Sequence, residues 1–161
     1  AGQGAVEQET ASISITAPET TDKKITIRGD IYAAGSGNVT VGSSKVTFSG
    51  NGANLDFTGR VSGQAFGNNA ATGEAELVFA DYAGKFMGLI QDMDVITISG
   101  STSVEFTRKQ TLTAETDFVF ALDGSTVENT AMFTVNSFGW TYGDTITVNA
   151  FNGVSNPANG E

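Results

Sequence analysis

The chain has 161 residues without one histidine or cysteine, which removes the commonest general base near neutral pH, the strongest ordinary nucleophile and two frequent metal ligands. Its net charge of −10, from 18 acidic and eight basic residues, excludes the basic patch that nucleic acid or an anionic membrane surface requires. Apolar residues at 39% suffice for one domain with a core, charged residues are sparse at 16%, and no apolar run reaches the roughly 18 residues of a membrane span. The composition therefore points away from an enzyme. No cofactor and no metal are expected.

In chain order, residues 1–10 are polar and read as a flexible lead. Residues 11–17, Ala-Ser-Ile-Ser-Ile-Thr-Ala, alternate strictly and read as a strand ended by Pro18. Lys23 to Tyr32 alternates again through Ile25, Ile27 and Ile31. Asn38 to Val41 and Lys45 to Ser49 read as a hairpin turning at Gly42-Ser43. Leu55 and Phe57 mark a further strand. Glu74 to Ala80 follows, with Ala75, Leu77 and Phe79 on one face. Residues 82–91 lose the period of two and read as a short helix or buried loop. Asp94 to Ser99, Thr102 to Thr107, Gln110 to Ala114, Asp117 to Leu122, Met132 to Phe138 and Asp144 to Phe151 resume strands, and 152–161 reads as a loose tail.

These roughly ten short strands predict an all-β fold, a single β-sandwich of jelly-roll, immunoglobulin-like or pilin-like type over residues 18–151. The phrases Ile25-Thr-Ile27, Ile96-Thr-Ile98 and Ile146-Thr-Val148 look alike. Their unequal spacing reads as recurrent strand chemistry rather than a repeat.

Few constellations could carry chemistry. Asp92 and Asp94 do not continue as a calcium loop and read as a polar turn. Glu74 and Glu76 read as a solvated strand face rather than a glycosidase pair. Arg28-Gly29-Asp30, a cell-adhesion tripeptide, falls inside a strand pattern and reads as chance. Asn38-Val39-Thr40 is an N-glycosylation sequon. Trp140 and Tyr142, with Tyr82 as a third member, form a candidate set for stacking on sugar rings. A lone tryptophan is more often a core plug than a stacking platform.

The N-terminal strand carries the functional expectation. An alternating segment with Val6, Ala11, Ile13, Ile15 and Ala17 can pair at home or be donated to a neighbouring subunit, its isoleucines filling the acceptor groove. Compact, β-rich and rich in Thr, Gly and Asn, the chain resembles at the level of architecture the subunits of donor-strand-assembled pili. It lacks their disulfide and their patterned last strand, so the resemblance assigns no family. The expected function is a secreted structural subunit of an extracellular filament, polymerising head to tail with copies of itself. The alternatives are a monomeric carbohydrate- or surface-binding module contacting surface glycans, and a virion tube, spike or decoration protein. A start at Ala-Gly-Gln without Met fits a product of signal-peptide removal, placed outside the cell or at its surface.

Overall fold

The computed structural model describes residues 6–35, 39–64, 66, 73–111, 116–126, 130–135, 138–139 and 145–152. Its strands are β1 (Val6–Ala17), β2 (Ile25–Ile27), β3 (Ile31–Tyr32), β4 (Val39–Asn51), β5 (Leu55–Phe57), β6 (Arg60–Ser62), β7 (Glu74–Phe86) and β8 (Leu89–Gln91), followed by β9 (Val95–Ser99), β10 (Ser103–Phe106), β11 (Gln110–Thr111), β12 (Asp117–Asp123), β13 (Phe133–Val135), β14 (Phe138–Gly139) and β15 (Thr145–Asn152). The main sheet runs β1-β4-β7-β9-β12-β15, with β10 beside β7 and β13 beside β10. Smaller sheets are β2-β5, β3-β6-β8 and β11-β14. Among the described residues no helix is long and apolar enough to cross a membrane.

Each strand pairing is parallel. This corrects the expected β-sandwich, whose jelly-roll, immunoglobulin-like and pilin-like forms all rest on antiparallel pairs. A tight turn joins antiparallel neighbours, whereas a parallel neighbour is reached only after a long return. Here the return is a circuit of the molecule through the smaller sheets. The chain winds as a parallel β-solenoid, each coil laid on the last. One register column makes the coils countable: Ile13 lies beside Val46, then Leu77, Ile96, Phe118 and Ile146, at steps of 33, 31, 19, 22 and 28 residues.

The alternation seen in the sequence is real, and it serves this stacking. Val46, Leu77, Ile96 and Phe118 in that column are buried, as are Phe48, Phe79 and Ile98 in the column two residues on. Apolar side chains of successive coils sit directly over one another, about 4.8 Å apart at the backbone. A phenylalanine stack fills the interior: Phe48–Phe79 at 5.8 Å, Phe79–Phe86 at 5.1 Å, Phe86–Phe106 at 5.5 Å and Phe106–Phe133 at 5.0 Å between ring centroids. The smaller sheets close the far wall with Ile25 beside Leu55, Ile27 beside Phe57, and Ile31, Val61 and Ile90 in one row.

Three local expectations change with the fold. The expected hairpin over 38–49 is one continuous strand, β4, in which Gly42 is not a turn. A β-carbon there would stand 2.8 Å from the Glu9 carbonyl oxygen, so glycine lets β1 approach. The expected helix over 82–91 is the end of β7 followed by β8. Its lost period has a physical source: Asp81 (φ 52°) and Gly84 (φ 126°) bend the strand, and an extra residue lets Phe79 and Tyr82 both face inward against Phe48 and Gly50. Finally, Arg28-Gly29-Asp30 is not in a strand. It forms an exposed bend between β2 and β3, with Gly29 at φ 107°.

Three buried polar side chains are satisfied by hydrogen bonds to main-chain carbonyls or amides. The fully buried Gln110 side chain donates to the Gly88 carbonyl at 2.9 Å and accepts from the Ile90 N–H at 3.0 Å, continuing a ladder where the backbone has stopped pairing. Asn54 donates to the carbonyls of Pro18 (2.7 Å) and Thr20 (3.2 Å), pinning the first coil's corner to the second. The Tyr82 hydroxyl donates to the Lys85 carbonyl at 2.7 Å, and burial pushes its ionisation far above the ordinary tyrosine range.

Because the folded state resists ionising Tyr82, the unfolded chain releases that proton first. The contribution of Tyr82 to stability is therefore constant below about pH 10, the ordinary tyrosine value, and is lost as pH rises beyond it. In an alkaline titration followed by ultraviolet absorbance, one of the three tyrosines should ionise only as the protein unfolds. Tyr82→Phe should abolish that late step and cost about 1 kcal/mol for the lost hydrogen bond. A late step that survives in Tyr82→Phe would contradict the assignment.

Candidate functional site: the outer strands and the polar sheet face

β1 was expected to carry function, and its placement is now explicit. It pairs in parallel with β4 from Val6–Val39 to Ala17–Gly50, so the N-terminal strand is paired within its own subunit. Its strand begins at Val6, inside the segment expected as a flexible lead. Ile13 and Ile15 pack half-buried on the core, Ala17 is buried, and Ala11 rests on Ala34 and Val41. On the opposite face Thr10, Ser12, Ser14 and Thr16 are exposed, and Ser49 donates a hydrogen bond to the Thr16 hydroxyl at 3.0 Å.

β1 and β15 are the first and last strands of the main sheet. Among the described residues, β1 pairs only with β4 and β15 only with β12. Thr10–Ala17 of β1 and the whole of β15, Thr-Ile-Thr-Val-Asn-Ala-Phe-Asn, contain no charged residue and no proline. Outer strands usually carry such residues to prevent pairing with other chains.

The outward face of the main sheet is the other feature of note. One column reads Ser14, Thr47, Val78, Thr97 and Val119. A second contains Thr16 and Ser49 in register and, on the later coils, Ala80, Ser99 and Ala121. Hydroxyl and methyl groups thus repeat without charge. Charge gathers at the strand beginnings, where Lys45 pairs with Glu76 at 2.6 Å and Thr97 donates to Glu76 at 2.7 Å. A shallow groove of about 350 Å³ there is lined by Thr10, Ser12, Ser43, Lys45, Glu74 and Glu76.

The remaining expected sites fall as follows. Glu74 and Glu76 share the outward face, and Glu76 is committed to Lys45 and Thr97. Asp94 accepts from the Ala75 N–H at 2.7 Å, which fastens the turn before β9 to β7. Asp30 accepts from the Arg60 N–H at 2.8 Å, binding the adhesion-like tripeptide to the next coil. Tyr82 is fully buried and cannot stack on a ligand. Asn38, Trp140 and Tyr142 lie outside the described residues. Sequence reasoning missed the role of β15. Its only signal was the kinship of Ile146-Thr-Val148 with Ile96-Thr-Ile98, two phrases that occupy the same register columns.

No protein family model matches this chain, and neither a curated protein nor a solved structure matches it.

Proposed function

We propose that the protein is a secreted structural subunit of an extracellular filament, in which the solenoid itself forms the shaft. One observation carries this reading: the chain builds its interior by repeating one interface along one direction, parallel coil on parallel coil, in shared register columns. Such a body resists extension and bending through main-chain ladders, and each coil depends only on its neighbours. The absence of histidine and cysteine and the sparse charge agree with a mechanical rather than a catalytic role. β1 remains in its own subunit in this reading and does not leave its pairing with β4.

Negative-stain electron microscopy of the full chain across a concentration series tests the proposal. Filaments that lengthen with concentration are expected; dispersed particles throughout would refute it. Deleting residues 1–17 is a poor control, because it would strip the cover from Val46 and Phe48.

A second reading, a carbohydrate- or surface-binding module, is favoured by the uncharged hydroxyl-and-methyl columns of the sheet face. It predicts a monomer that co-sediments with an insoluble polysaccharide and loses that binding when Thr47 and Thr97 are replaced by Lys.

A further inference from the structure

The partner that best fits the outer edge of β1 is the outer edge of β15 on a second copy of this chain. We propose that these two edges pair in parallel across a head-to-tail joint, with Ile146 beside Ile13, Thr147 beside Ser14 and Val148 beside Ile15. The proposal rests on the filament reading above and names its joint.

The geometry follows from the coil interface already present. In a parallel sheet every strand shows one edge to its predecessor and the other to its successor, and the two edges present the N–H and C=O groups of alternate residues. Among the described residues, β1 leaves unpaired the edge that faces a predecessor, and β15 the edge that faces a successor. These two edges are complementary to each other. Pairing two copies of β1 would instead require an antiparallel ladder, for which this fold offers no precedent among the described residues.

Register supports the same joint. The column Ile13, Val46, Leu77, Ile96, Phe118, Ile146 begins and ends on isoleucine, and the next begins at Ile15 and reaches Val148 through Phe120. A β15-on-β1 joint extends both columns into the next copy with the same apolar character. It would cover Ile13 and Ile15, which are only half-buried in the single chain although they pack on the core. Neither edge carries a charge over the six residues that would meet in this register, Ser12–Ala17 and Thr145–Ala150. A joint of this kind uses two different patches and repeats without closing, so it propagates as a filament.

The test places charges at one predicted contact. Ser14 is exposed on β1, and Thr147 occupies the same register column at the far end. Within one chain these positions are five coil steps apart, so they meet only across the joint. Ser14→Lys/Thr147→Lys should raise the concentration at which filaments form by at least about fivefold at low salt, and Ser14→Lys/Thr147→Glu should restore it. Unchanged melting of both variants shows that the fold survives. Two results overturn the joint while leaving the filament reading standing: filaments from both variants at the wild-type concentration, or inhibition by Ser14→Lys alone with no response at position 147. Wild-type protein that forms no filaments overturns the filament reading and the joint together.

Discussion

Phe79→Ala is expected to destabilise the protein by about 3–5 kcal/mol, the range for removing a fully buried aromatic ring. Phe79 is inaccessible to solvent at the centre of β7. Its ring meets Phe48 on the preceding coil, Phe106 on the following one, and Tyr82 and Phe86 on its own strand, at 5.1–5.8 Å between centroids. Phe79 thus has rings on both sides and along its own coil, as does Phe86, so the space it would vacate cannot be filled by one side chain turning. Urea unfolding should show a lower midpoint with an unchanged slope, because the surface exposed on unfolding is nearly the same. A loss below about 1 kcal/mol would mean that the phenylalanines do not form one continuous stack.

The second large effect concerns backbone approach. Gly50 ends the pairing of β1 with β4 and adopts φ 80°. A β-carbon added there would lie 2.1 Å from the carbonyl oxygen of Ala17, itself a buried residue. Alanine would combine the strain of a left-handed backbone with an overlap that only separation of the two strands relieves. The expected cost is about 2–4 kcal/mol. Gly35→Ala is the matched control: its φ is 82°, but nothing stands within 4 Å of the added carbon. It should cost only about 1 kcal/mol, the conformational part alone. Equal losses in the two variants would argue that β1 is not held tightly against β4.

Much of the strand content was legible, and the shared face of Ala75, Leu77 and Phe79 is the buried one. Alternation reports which face a side chain takes, and it is the same for a sandwich and a solenoid. It says nothing about strand direction or partner, and there the expectation failed. Glycine misled for a definable reason. Gly42 looked like a turn residue, but it makes room for Glu9 on the neighbouring coil, as Gly50 does for Ala17. The repeat was hidden because coils of 19 to 33 residues share no constant period. Residue kinship between β9 and β15 was visible, yet without fixed spacing it could not be told from common strand chemistry. The non-alternating stretch from Tyr82 reflects a phase shift at Asp81 and Gly84 rather than a helix. Of the expected functional strand, the packing of Ile13 and Ile15 could be read from their alternation. The edge that β15 offers could not, since it arises from coil order.

If coils stack along the filament, the strands lie across its axis. X-ray fibre diffraction from aligned filaments measures this directly. Coil-on-coil assembly gives a meridional reflection at about 4.7–4.9 Å, the spacing between paired strands. The same reflection on the equator would place the strands along the axis and contradict coil-on-coil assembly.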